Sequence, residues 1–239
     1  MKILLCSIFL NQNMKDSKNL KNKKILVTAG PTWVPIDKVR VITNIFSGRL
    51  GLLIAKEAAK KGAKVTLLMG PGPFSFFKSK NKNLRTLHFK YFDELYNLMK
   101  REISSKKYDI VVHSAAVSDY TPVTTYKGKI KSGKENLIIK LKPTIKIVDQ
   151  IKKWNKKVFL VKFKLEVNVK EKELIERAYE SMLASNANLI VANDLKYMKG
   201  EKQKAFIINR EKKIVFCQNK KEIAKKILNI IIVNYGKKY

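Results

Sequence analysis

Ser47-Gly48, with Gly51 just beyond, stands where an apolar helical pattern begins. A helix start of that kind attracts anions, because its unpaired amides and its dipole favour negative charge. Ser47 is suited to cap the helix, and Gly48 lets a phosphate approach the backbone. Gly30-Pro31-Thr32, Arg40 and Asn44 lie on the connection leading there. A second stretch, His113-Ser114-Ala115-Ala116-Val117-Ser118-Asp119-Tyr120, follows another apolar run. Its small residues let a planar base or sugar lie against the main chain, and Asp119 can accept hydrogen bonds from either. His113 reads as a strand-end residue rather than a catalyst, since neither a nucleophile elbow nor a partnered acid surrounds it.

These residues need a scaffold, and the apolar pattern supplies one. Lys24–Thr28 reads as a first buried strand, broken by Ala29-Gly30-Pro31. After a long connection (31–47), 48–61 reads as a helix with Leu50, Leu53, Ile54 and Ala58 on one face and Gly62 as its stop. Lys64–Met69 is a second strand, closed by Gly70-Pro71-Gly72-Pro73. A helix near 93–105 with a strand at Tyr108–His113 repeats the unit. So do a strand at Val158–Phe163, a helix at 170–185 and a strand at Leu189–Ala192. Such alternation predicts an α/β fold with a Rossmann-like, doubly wound and mostly parallel sheet, whose ligands bind beyond the strand carboxyl ends.

Two pieces break the alternation. KGKI and LIIKLK flank Ser132-Gly133-Lys134 and predict a protruding β-hairpin over 121–142. Ala205–Asn209 and Lys213–Phe216 predict a second hairpin that widens the sheet antiparallel, ahead of a last helix at about 220–233. Residues 1–23 read as an N-terminal extension, of which 1–13 fit an over-called start, and 24–239 as a single domain.

A net charge of +32 suggests nucleic acid, but only six of 51 basic residues are arginine and the lysines are scattered among Ile and Asn. That pattern fits genome composition better than base reading or single-strand binding, so no specific nucleic-acid partner is expected. The charge would still steer anionic small molecules inward. Cys6 and Cys217 form neither a zinc motif nor a disulfide framework, which fits a cytoplasmic location, and no membrane-length apolar run is present. An NAD(P)-dependent oxidoreductase shares the fold class. Against it, A-G-P-T-W-V replaces the G-x-G-x-x-G fingerprint and no acidic residue follows the second strand. Tyr96 and Lys100 have dehydrogenase spacing but lie on an early helix.

T-A-G-P-T, I-D-x-V-R-x-I-T-N-x-x-S-G-x-L-G, H-S-A-A-V-S-D-Y-T-P, K-I-K, F-K-L-E and A-N-D-L occur in this order from about Lys24 to Val233. Together they resemble phosphopantothenate–cysteine ligase. FKLE and the 144–155 stretch make the monofunctional bacterial form the nearer likeness. The resemblance implies a two-step reaction in which the carboxylate of 4′-phosphopantothenate attacks the α-phosphate of CTP (or ATP), and cysteine then displaces the nucleotide. It implies that Lys129 neutralises the triphosphate, that Asn44 binds the acyl intermediate, and that Arg40 lies nearby. Nucleotide contacts carried over are His113, Ser114, Ala115, Asp119, Lys129, Ile145, Lys146, Ile147, Val148 and Phe163, to which the glycine-rich loop and helix start read above add Gly30, Ser47 and Gly48. Mg2+ is expected with the triphosphate, its protein ligands unknown, and the 121–142 flap is expected to form a homodimer that completes the site.

Departures from the family pattern bear on the choice between CTP and ATP. Phe46 stands for Ser or Thr, Ile145 for proline, and Lys162 for the glycine before Phe163. Ser181 and Ser185 stand where bifunctional bacterial forms carry lysines near the nucleotide.

Overall fold

A computed structural model describes residues 20–133 and 135–236. The N-terminal extension before Leu20, and Lys134 in the flap turn, lie outside the described residues. The chain begins with β1 (Lys24–Ala29), β2 (Trp33–Pro35), β3 (Val41–Thr43), α1 (Arg49–Lys60), β4 (Lys64–Met69), β5 (Leu84–His88) and α2 (Phe92–Ser104). It continues through β6 (Ile110–His113), β7 (Tyr120–Pro122), β8 (Leu141–Pro143), α3 (Ile147–Trp154), β9 (Phe159–Glu166) and α4 (Glu171–Ala184). It ends with β10 (Leu189–Lys199), β11 (Lys202–Asn209), β12 (Ile214–Asn219) and α5 (Lys220–Gly236).

Eight strands form one sheet in the order β12-β11-β10-β9-β6-β1-β4-β5. From β5 across to β10 every pairing is parallel, and β11 and β12 extend that edge antiparallel. The chain steps outward from β1 to β4 and β5, then crosses back to β6 on the other side of β1. That reversal makes the β1/β6 boundary a topological switch point. The strands there are apolar on both faces because helices cover both: α1 and α5 on one side, α2, α3 and α4 on the other. The sheet is thus doubly wound and mostly parallel, as its alternating pattern predicts.

α1 starts differently from expectation. Gly48, not Ser47, takes the N-cap position in the left-handed conformation (φ 78°), with no side-chain cap. A Cβ on Gly48 would come within 2.6 Å of the Gly30 nitrogen, and one on Gly30 within 3.1 Å of the Gly70 backbone. Three main-chain segments therefore stack where any side chain would hold them apart.

The flap also departs from expectation. Its paired base is β7 with β8, in the register Tyr120↔Pro143, Thr121↔Lys142, Pro122↔Leu141. KGKI does not pair with LIIKLK; it lies along residues 36–40 instead. Lys38 N–H donates to Gly128 O (3.2 Å), Tyr126 N–H to Ile36 O (3.0 Å), and Ile130 N–H to Asp37 Oδ2 (3.1 Å). Asp37 causes the difference. Its side chain is fully buried, and it also accepts from the Val39 and Arg40 amides and the Arg40 guanidinium. A buried carboxylate requires such a shell, and only the ribbon backbone supplies the last donor.

Candidate active site

A cleft of about 610 Å³ opens at the carboxyl ends of β1, β6 and β9. Its near wall is the start of α1 and the loop after β6. Its far wall is residues 144–149, the end of β9 and the last turn of α4.

Asn44 joins the two sides of the near wall. Its Nδ2 donates to the carbonyls of Ala116 (3.0 Å) and Val117 (3.2 Å), which orients the amide and turns Oδ1 away from them. Thr32 fixes the same loop, accepting from Ser118 N–H at 2.9 Å, while Thr144 Oγ1 donates to Ser118 O at 2.7 Å. Loops from three parts of the chain are thus tied into one rim.

Beneath the rim, Thr28 Oγ1 accepts from Ala115 N–H (3.0 Å) and lies 3.0 Å from His113 Nδ1, so it ties the strand end to the loop that follows it. Burial, and secondarily the charge of Lys162, pushes the His113 pKa down to about 4. An unfolded chain takes up a proton near the ordinary imidazole value of 6.5, whereas the native one does so only near 4. Stability contributed by neutral His113 is therefore full above about pH 6.5 and is lost as pH falls toward 4. Urea unfolding between these pH values should show a slope of up to about 1.4 kcal/mol per pH unit that His113→Gln removes. An unchanged slope in the variant would refute the assignment.

Asp119 sits at the mouth, its carboxylate 2.6 Å from Lys146 Nζ, with both side chains more than half exposed. Such a pair contributes about 0–1 kcal/mol, so a ligand can open it at little cost. Ile147 and Val148 begin α3 and bring its first-turn amides to the cleft.

Of the residues singled out in the sequence, Asn44, Ser47, Gly48, His113, Ser114, Ala115, Asp119, Ile145, Lys146, Ile147, Val148 and Phe163 line this one cleft. Gly30, Arg40 and Lys129 do not. Gly30 lies behind Gly48 as a spacer. Arg40 holds Asp37 and the Ile130 carbonyl. Lys129 is exposed on the ribbon, between two residues whose backbones are pinned to 37–40.

Cleft residues that the sequence did not flag include Arg49, Gln203 and Lys220. Gln203 is buried with its Oε1 unpartnered, beside the irregular register where β10 meets β11. It shares the buried face of β11 with Ala205 and Ile207. Among the described residues no group of His, Cys, Asp or Glu is arranged to hold a metal, and no helix is long and apolar enough to cross a membrane.

A doubly wound sheet with a cleft at its switch point defines a Rossmann-like α/β protein. More particularly, the chain belongs to the DNA/pantothenate metabolism flavoprotein C-terminal domain family, whose model matches residues 20–234. It is 37% identical over 211 residues to the coenzyme A biosynthesis bifunctional protein CoaBC of Thermococcus kodakarensis, covering 88% of this chain and 51% of that protein. The chain spans about half the length of the curated relatives it matches. A crystal structure of the DNA/pantothenate metabolism flavoprotein from Streptococcus pneumoniae superposes with TM-score 0.80 at 31% identity, covering 89% of this chain and 99% of that one. The C-terminal domain of a coenzyme A biosynthesis bifunctional protein CoaBC superposes with TM-score 0.75 at 28% identity, covering 92% and 100%.

Proposed function

We propose that the chain joins L-cysteine to 4′-phosphopantothenate through an acyl-nucleotide, in coenzyme A biosynthesis. The observation that carries this reading is the convergence of the α1 start, Asn44, the His113–Asp119 loop, the α3 start and Phe163 on one cleft. Family membership and the bifunctional coenzyme A relatives support it.

A carboxylate oxygen of phosphopantothenate bonds to the α-phosphorus of the nucleotide, and pyrophosphate leaves. The cysteine amine then attacks the acyl carbon, forms the amide, loses a proton and expels the nucleoside monophosphate. Activation replaces a poor leaving group with a good one, so the work left to the protein is alignment and charge stabilisation. Backbone amides at the α1 and α3 starts supply fixed positive dipoles. Asn44 lies within the near wall, where its Oδ1 is available to an intermediate. His113, kept neutral by its burial, lines the cleft without adding charge.

CTP is the preferred cosubstrate and ATP the alternative. Mg2+ enters with the triphosphate, because the cleft carboxylates Asp119 and Asp149 do not form a metal cage with other residues. Cytoplasmic location follows from these substrates. Residues 24–239 act as one ligase domain.

The active form is a homodimer assembled through the 121–142 ribbon. Its support is a row of exposed apolar side chains along the ribbon and its base, among them Ile138 at 80% and Val123 at 53%. A monomer rarely leaves such a row uncovered. Ile138→Lys should shift the sedimentation of the protein from dimer to monomer and lower turnover; a dimer of unchanged stability would count against this interface.

Purified protein given phosphopantothenate, cysteine, Mg2+ and CTP or ATP should release pyrophosphate and form phosphopantothenoylcysteine. Failure with every nucleotide would overturn the reading. Asn44→Asp cannot donate to the Ala116 and Val117 carbonyls, and the lost bonds correspond to about tenfold slower overall turnover. Rapid-quench mass spectrometry should find acyl-nucleotide accumulating in that variant; wild-type levels would remove Asn44 from the second step.

A further inference from the structure

Lys162, Ser181 and Ser185 are separate departures in the sequence, yet in the fold they form one cluster in the wall of the cleft. β9 carries Lys162 beside His113 on β6, while Ser181 lies in the last turn of α4 and Ser185 at its C-cap. Lys162 is 7% exposed. Its Nζ donates to Ser181 O (2.9 Å), Ser181 Oγ (2.9 Å) and Ser185 Oγ (3.0 Å). All three acceptors are neutral, and among the described residues no carboxylate pairs with this ammonium.

The other cations of the cleft differ. Arg49 pairs with Glu201, Lys146 with Asp119 and Lys164 with Glu166. Lys220 holds the Gly200 carbonyl at the rim. Among these cleft cations, Lys162 alone combines deep burial with neutral hydrogen-bond partners and no ion pair. Burying an ammonium in this way is costly, and neutral oxygens offset the cost only in part. Burial accordingly lowers its pKa, with the charge of Asp149 acting in the opposite direction.

We infer that Lys162 is the fixed cation of a phosphoryl subsite, positioned by Ser181 and Ser185 to receive an oxygen of the nucleotide's polyphosphate. This rests on the cleft being a nucleotide site. An ammonium can rotate one proton from a serine oxygen to a phosphoryl oxygen, exchanging a neutral acceptor for a charged one of about twice the strength. Ser185 Oγ gives its own proton to Ser181 O (3.0 Å), so it remains an acceptor that holds the ammonium in place. Ser181 Oγ retains a proton of its own to offer the same anion. The first-turn amides of α3 line the same wall and point the same charge preference at it.

The competing role for Lys162 is structural, as a cation on the carbonyl end of α4. Calorimetric titration of wild type and Lys162→Met with CTP, cytidine and inorganic tripolyphosphate separates the two. Loss of one buried charged hydrogen bond should weaken CTP and tripolyphosphate about 10- to 100-fold and leave cytidine unchanged. Unchanged affinity for tripolyphosphate, with only a lowered melting temperature, would overturn the inference. Equal weakening of cytidine and CTP would overturn it too, by moving the contact to the base. If wild type binds tripolyphosphate through Lys162 but no nucleotide, the ligase reading fails and the subsite stands. Should Lys162→Met not fold, NMR titration of His113 in wild type decides. An anion at Lys162 must raise the His113 pKa, and no change on adding tripolyphosphate would refute the subsite.

Discussion

Lys129→Ala is expected to slow acyl-nucleotide formation by about 100- to 1,000-fold in the proposed dimer, whose ribbon brings to the neighbouring cleft a lysine that does not line its own; that is the usual effect of removing one donor that meets charge only in the transition state. The expectation is sharp because the fold should not notice the change. Lys129 is exposed, while its neighbours carry the structure: Gly128 accepts from Lys38, and Ile130 is buried and bonded to Asp37 and Arg40. The ribbon therefore presents the Lys129 side chain outward from a fixed backbone. In single-turnover experiments with phosphopantothenate and CTP, the variant should keep its melting temperature and lose the pyrophosphate burst. A burst at the wild-type rate would remove Lys129 from the chemistry.

Asp37→Asn should cost activity from outside the cleft. Its Oδ1 accepts from the Val39 (2.8 Å) and Arg40 (2.7 Å) amides, and its Oδ2 from Ile130 N–H (3.1 Å) and Arg40 Nη1. The Ile130 amide, joined by the Val39 and Arg40 donors and opposed by burial, holds this carboxyl down at about 2. Its contribution is thus full above the usual carboxylate range and is lost only as pH falls toward 2, so the latch is constant near neutrality. An asparagine turns one accepting oxygen into a donor that faces N–H groups, and the ribbon should come away from residues 36–40. A displacement of about 1 Å in a charge-stabilising group costs about 100-fold. Hydrogen exchange should show loss of protection at the Ile130 amide alongside the fall in kcat, with the sheet amides unaffected. Retained protection with full activity would mean that the ribbon does not depend on Asp37.

The strands that carry the cleft were legible because they are buried on both faces, so KILVT, KVTLLM and DIVVH stand out as apolar runs. β5 was not, since the edge strand LRTLH buries little and carries Arg85 and His88. Nor was α3, whose eight residues bury only Ile147 and Ile151, too few for a period to emerge. β2 and β3 have three residues each and exist as a hairpin only because they pair with each other. Most of the near wall could be read from small residues after strands. Lys162 was legible only as a departure from the family glycine: its surroundings, a cross-strand neighbour and a helix end 19 to 23 residues away, come from the fold. The Asp37 latch is invisible, joining residues 93 apart in the chain.

The stack of Gly30, Gly48 and Gly70 has a consequence for how this sequence can drift. The base of the cleft is built where side chains are missing, so its contour is independent of the lysines that crowd the rest of the chain. Mutational pressure can repaint the periphery while the floor of the cleft keeps its form. The same pressure meets an abrupt limit at these three positions, where a single added methyl group would prise the rim apart.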